Sequence, residues 1–258
     1  MSETTAPPPS PVPDIQTVTW AMLAASLRQG WRDFLAAPLF GLFFGGFYVL
    51  CGIGLFWLTQ STGQYYWLAI AVFGFPLLGP FAAVGLYEVS HRLDNGTPLN
   101  WGQILGVIWH QKNRQLPSIC AIIILIFLFW SFIGHMIFAL FLGLSTMTNI
   151  SSSYEVFMTP DGLMMLGVGT VVGAGLAGLI FSITVMGLPL LLDREIDFVT
   201  AMIISVKTVA SNARTMLVWG GAVAVMLFAG MMPFFLGLLV VLPVLGHATW
   251  HLYRQALR

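Results

Sequence analysis

Apolar residues in this chain come in runs rather than at intervals. Pro38 to Thr59, Tyr65 to Tyr87, Leu116 to Leu144 and Gly162 to Leu192 are nearly uninterrupted. A bilayer core requires about 20 apolar residues per helix, because every backbone amide in lipid must find its partner within the segment. Each run therefore predicts a transmembrane helix. A fifth stretch, Thr215 to Tyr253, is too long for one comfortable span. The Gly230-Met231-Met232-Pro233 segment offers a turn within it, since Pro233 cannot continue the preceding hydrogen-bond ladder. The pattern predicts six spans arranged as three hairpins.

Before each hairpin the periodicity changes to that of a surface helix. Trp20, Leu23, Leu27, Trp31 and Phe34 recur at steps of three and four, with Gln29, Arg32 and Asp33 on other faces. Asn100 is a candidate N-cap for a second such segment, in which Trp101, Ile104, Leu105 and Ile108 are apolar and Gln103, Gln111 and Lys112 polar. Asp197 opens a third, with Phe198, Met202 and Val209 apolar and Lys207 exposed. All three are expected to lie in the cytoplasmic interface. The fold class is thus all-α integral membrane, three hairpins each preceded by an interfacial amphipathic helix. Pro76-Leu77-Leu78-Gly79-Pro80 and Pro243-Val244-Leu245-Gly246-His247 are similar strings, and Pro189 marks the corresponding end of the fourth span, which suggests an internal threefold repeat.

Composition agrees: 58% of residues are hydrophobic and 8% charged, against about 25% charged in a soluble domain. With six spans all ten basic residues (Arg28, Arg32, Arg92, Lys112, Arg114, Arg194, Lys207, Arg214, Arg254, Arg258) fall on one side. The positive-inside rule makes that side cytoplasmic, with both termini there. Residues 1–16, with Pro7, Pro8, Pro9, Pro11 and Pro13 and no basic residue, are expected to form a disordered tail without signal-peptide pattern, and residues 17–258 a single six-span domain. The net charge of zero suggests no nucleic-acid partner; the expected partners are the lipid bilayer and other membrane proteins, including further copies of the chain. Cys51 and Cys120 should sit at different depths, and they form no CxxC motif.

Several strings resemble the bacterial integral membrane family known as domain of unknown function 2189. They are Gly30-Trp31-Arg32-Asp33-Phe34, Pro38 to Gly46, Gly79 to Glu88, Leu191 to Phe198, and Leu242-Pro243-Val244-Leu245-Gly246-His247-Ala248-Thr249-Trp250-His251. The resemblance covers Val18 to Arg254 and implies a bacterial inner-membrane location. The family has no established activity and so implies no catalytic residues.

Candidate chemistry is sparse. No Walker loop, G-x-S-x-G or H-E-x-x-H motif occurs, so no catalytic residue and no cofactor are assigned. Metal candidates are Glu88 with His91 (i, i+3) and His247 with His251 (i, i+4), pairs that follow the same Pro-x-Leu-Gly signature and so converge if the repeat is real. An intramembrane polar site is suggested by Ser131 and His135, expected to face the bundle interior, together with Ser182 and Thr184, where Gly187 and Pro189 are expected to unwind the helix. Gly41 with Gly45, and Gly169, Gly173 and Ala177, are spaced for close helix packing. Asn149-Ile150-Ser151 fits the glycosylation pattern incidentally. The expectation is a non-enzymatic accessory or assembly component of a membrane complex, respiratory complexes included. The alternatives are a small-solute or ion permease, and a metal- or haem-dependent redox protein.

Overall fold

The computed structural model describes residues 10–63, 68–112, 114–143 and 154–258. Among these the chain forms α1 (Trp20–Ala36), α2 (Pro38–Thr62), α3 (Leu68–Asp94), α4 (Trp101–Gln111), α5 (Leu116–Leu142), α6 (Pro160–Thr184), α7 (Gly187–Asp193), α8 (Phe198–Ser211), α9 (Ala213–Met231) and α10 (Leu238–Ala256), with a 3₁₀ turn at Tyr154–Met158. No strand occurs among the described residues, where the sole β feature is one isolated bridge, Ile15 to Leu257. The Asn149-Ile150-Ser151 pattern lies outside the described residues.

Local chemistry sets the helix ends. The Asn100 side chain accepts from Gln103 N, and the Asp197 side chain from Thr200 N, so both expected caps are formed. Proline opens α2 and α6, where its missing N–H costs nothing. The long fourth run breaks after Thr184 and restarts at Gly187 as α7. Pro189 has no N–H for the Val185 carbonyl, and the Met186 N–H instead donates to Ser205 Oγ of α8 at 3.1 Å. The fifth run divides into α9 and α10 through a turn over residues 232–237. That turn closes tightly: a Cβ on Gly237 would stand 2.7 Å from Gly230 Cα.

Among the described residues four segments are long and apolar enough to cross a membrane: Pro38–Thr62, Leu116–Leu142, Pro160–Asp193 and Ala213–Met231. Their mean hydropathies run from 1.5 to 2.6. The count of six expected from the sequence is therefore met by four segments on length and composition alone. α10 carries its polar residues, among them His247, His251 and Arg254, in its second half.

α10 is the organising element. It lies along α1 and also contacts α2, α3 and α9. α4 packs on α3, and α8 on α6 and α7. Where α3, α7 and α10 meet one another, the buried core contains Tyr87, Leu190, Trp250 and Tyr253.

Two findings depart from expectation. From Ser10 onward the N-terminal segment is a bonded strap rather than a disordered tail. Asp14 and Gln16 donate backbone N–H groups to Arg258 and Ala256, and the Asn212 side chain accepts from Val18 N at 2.7 Å and donates to the Gln16 carbonyl. Backbone pairing and an asparagine with both ends satisfied hold a segment that composition alone marks as loose. Secondly, α1 buries Leu23, Ser26, Gly30 and Phe34, while Trp20 and Trp31 are exposed. Asp33 therefore belongs to the protein-facing side, because Gly30 and Ser26 allow the α10 backbone to approach there.

Candidate functional site

The end of α3, the second half of α10 and the middle of α1 converge into a polar rim. Their approach depends on small residues: a Cβ on Gly30 would lie 2.6 Å from the backbone of both Val244 and Ala248, and one on Gly246 2.6 Å from Leu86. Bulky side chains thus give way, and polar ones meet. Asp33 Oδ2 accepts from Ser90 Oγ at 2.6 Å and from His251 Nε2 at 2.7 Å. Ser90 Oγ also lies 2.8 Å from His247 Nδ1. Ser90 and His247 are fully buried, and His251 nearly so. One carboxylate therefore links α1, α3 and α10.

Trp250 forms the apolar hub beside this network. It is completely buried, its Nε1 donates to Asp94 Oδ2 at 3.1 Å, and its ring packs near Tyr87, His91 and Tyr253. Tyr253 in turn donates to Asp193 Oδ2 at 2.6 Å, joining α10 to α7. Gln255 reaches Ser26 of α1 at 3.0 Å.

Glu88 anchors the outer edge. Its carboxylate accepts from Arg92 Nε at 2.6 Å and lies 3.6 Å from His91 Nδ1, while Arg92 also donates to Gln103 of α4. Burial alone would raise the Glu88 carboxyl, but the hydrogen bonds from His91 and Arg92 outweigh it and hold the group below the usual carboxylate range. The same contact, in which the Glu88 carboxylate accepts, raises the His91 imidazole above its ordinary value, against the opposing effect of burial. Each charge thus favours the other, and the α3–α4 corner is an ion-paired clasp.

The two expected pairs do not share a common donor set. Glu88 is engaged by Arg92 and His91, whereas His247 and His251 are engaged by Ser90 and Asp33. Among the described residues no group of three His, Cys, Asp or Glu side chains is arranged to hold a metal ion. Nor do the intramembrane candidates gather. The His135 ring is exposed and donates from Nδ1 to the Ser131 carbonyl at 2.6 Å, so it faces outward and not into the bundle. At about 1.5 Å per residue it lies roughly 28 Å along α5 from Leu116, close to the distance of a full bilayer core, where an imidazole meets headgroups and needs no interior partner. Ser182 and Thr184 donate to carbonyls of their own helix, Gly178 and Ile180.

The packing glycines separate into two kinds. Gly41 meets the Phe34 ring and Pro243, Gly45 approaches Leu238 and Pro243, and Gly173 receives Trp130 of α5. Gly169 has open space, and Ala177 is exposed.

Sequence patterns missed Asp33, Ser90, Asp94 and Asp193. For Asp33 the available signal was Gly30 one turn earlier, the mark of a helix face that meets another backbone. Ser90 and Asp94 carried none.

Long apolar helices joined at one polar end define a helical integral membrane protein. The family model described as "Predicted integral membrane protein (DUF2189)" matches residues 67–193, which bears out the resemblance read from the sequence. Gly79 to Glu88 falls inside that match; Gly30 to Phe34 and Leu242 to His251 lie outside it. No curated protein and no solved structure matches the chain.

Proposed function

We propose that the chain is a six-span, non-enzymatic component of the bacterial inner membrane, with both termini cytoplasmic, serving as an accessory or assembly subunit of a membrane complex. The observation that carries the non-enzymatic reading is the condition of Ser90. Among the described residues its hydroxyl is the one found beside a histidine and a carboxylate, yet it is fully buried and bonded to both, so no substrate reaches it. The rim holds helices together.

Topology has separate support. The strap pairs with the last residues of the chain, which supports the reading that both ends lie on one face and that the number of crossings is even. Adding α3 and α10 to the four apolar segments gives six. The contacts also follow a cyclic rule. α4 packs on α3, α8 on α6 and α7, and α1 on α10, each interfacial helix against the returning span of the hairpin before it, with the first helix closing the ring on the last. Basic residues on that face mark it as cytoplasmic.

An accessory subunit is recognised by its company. Mild-detergent extraction followed by a native gel and mass spectrometry should recover the chain in a larger band with stoichiometric membrane-protein partners. A lone monomer that conducts a solute in proteoliposomes would reverse the assignment in favour of the permease.

A further inference from the structure

A helix packed on a protein has two surroundings when the rest of it stands in lipid or in water, and three when it lies at the bilayer surface. α1 has three. At about 100° per residue, its buried face of Leu23, Ser26, Gly30 and Phe34 is followed round the helix by exposed Trp20, Trp31 and Leu35, then by Arg28 and Arg32, then by Gln29. α4 and α8 repeat the order in the same rotational sense. In α4 the buried Ile104 gives way to exposed Trp101, Leu105 and Trp109, then to His110; in α8 the buried Ala201, Ile204 and Ser205 give way to exposed Val206, Val199 and Ile203, then to Lys207. One sense of rotation is what three helices laid the same way round a bundle require, with the exposed apolar sectors in the acyl chains and the polar sectors in water. The break at Ala37, where φ is −134° and ψ 53°, separates the direction of α1 from that of apolar α2.

Arg28 and Arg32 stand on the border between the acyl and water sectors of α1, which is the level of the headgroups. Both are exposed, and one turn of helix sets them about 6 Å apart along the axis. Other arginines are engaged within the protein: Arg92 by Glu88, Arg114 by Glu195 and Arg254 by Asp193. Arg28 and Arg32 have no carboxylate partner among the described residues, and Asp33, beside them in sequence, is held by Ser90 and His251 on the protein side. The corresponding positions of α4 hold Gly102 and Gly106, and α8 offers the single Lys207. The paired cations therefore belong to α1 alone among the three helices.

We propose that Arg28 and Arg32 bind the phosphate of an anionic phospholipid, with Trp31 seated beside its glycerol and the start of its acyl chains. Each guanidinium offers paired N–H donors in the geometry of phosphate oxygens, and two of them one turn apart grip a phosphodiester from two sides. Trp31 lies on the acyl side of the pair, its ring 5.8 Å from that of Phe34, at the depth where indoles settle in a bilayer. A zwitterionic lipid carries its own cation to the arginines and is held less tightly than one whose phosphate charge is not offset. The opposite face of α1 carries Gly30 and Asp33 against α10, so a lipid bound here braces the helix that joins the polar rim. The proposal rests on the membrane class of the chain and not on its having a partner complex.

The test is native mass spectrometry of the full chain in detergent, titrated with phosphatidylglycerol or with phosphatidylcholine. Expected is a first phosphatidylglycerol bound more tightly than phosphatidylcholine. That preference should fall roughly fivefold in Arg28→Gln or Arg32→Gln, the worth of one basic side chain at an anionic surface, further in the double variant, and not at all in Lys207→Gln. A wild type without the preference, a double variant that keeps it, or an equal fall in Lys207→Gln overturns the site. Excess inorganic phosphate should leave the lipid bound; displacement would assign the arginines to a free anion instead. Orientation is read separately in vesicles of the two lipids, from nitroxides on Ala24→Cys and Gln29→Cys in a background with Cys51 and Cys120 replaced by alanine. Ala24 is exposed in the apolar sector and its label should meet oxygen dissolved in the acyl chains, whereas the Gln29 label should meet a water-soluble nickel complex. An Ala24 label that meets neither is covered by protein, and one that meets nickel stands in water; either result overturns the lipid contact.

Discussion

Gly30→Val should be the most damaging single substitution at the rim, destabilising the protein by at least about 3 kcal/mol, the upper part of the range for overpacked sites. The first carbon added at position 30 would stand 2.6 Å from Ala248 N and 2.6 Å from Val244 O. Both are backbone atoms of a helix and cannot rotate away. α1 must then separate from α10, and Asp33 leaves Ser90 and His251 behind. The effect should appear as loss of the monodisperse peak on size-exclusion chromatography and a large fall in unfolding temperature. Gly54→Ala is the matched control, since nothing lies within 4 Å of a Cβ there. Equal melting of the two variants would show that the α1–α10 contact is dispensable.

Trp250→Ala should cost about 3–5 kcal/mol, the usual range for removing a fully buried aromatic side chain. The ring is completely enclosed, lies between Tyr87, His91 and Tyr253, and carries the hydrogen bond to Asp94. Trp250→Phe keeps most of the contact area and loses only the Nε1 donor, so its cost should be near 1 kcal/mol. Thermal unfolding of the two purified variants separates packing from hydrogen bonding. If both melt with the wild type, Trp250 is not the hub of the rim.

Much of this fold is legible in the order of residues, for a physical reason. Lipid forbids unsatisfied backbone, so long apolar runs have little choice but helix; the first and third runs coincide closely with α2 and α5, and the fourth with α6 and α7 together. Caps are equally local, which is why Asn100 and Asp197 appear where their side chains predict. The break around Gly187 and Pro189 is legible too, although the freed Met186 amide bonds to Ser205, nineteen residues away, which no local pattern indicates.

The site is less legible. Counting apolar positions along α1 assigned Trp20 and Trp31 to the same face as Leu23 and Phe34, because in a membrane protein both the lipid side and the protein side of a helix are apolar. The polar residue that chooses between the sides is Asp33, and its partners are 57 and 218 positions away. Histidine spacing in α10 correctly placed His247 and His251 together. It could not indicate that a serine and an aspartate, rather than Glu88 and His91, would complete their surroundings.

The central claim is that the chain crosses the membrane six times, in three hairpins whose returning ends are joined at one basic, cytoplasmic rim. Cysteine accessibility measures it directly. Single-cysteine variants at Ser61, Met158 and Met232, and at Asn95 and Lys207, are made in a background with Cys51 and Cys120 replaced by alanine, then treated in intact cells with a membrane-impermeant maleimide. All five positions are exposed on the protein. Six spans require that Ser61→Cys, Met158→Cys and Met232→Cys react from outside, and that Asn95→Cys and Lys207→Cys react only after permeabilisation. Labelling of Asn95→Cys or Lys207→Cys in intact cells, or protection of Met232→Cys, would contradict it.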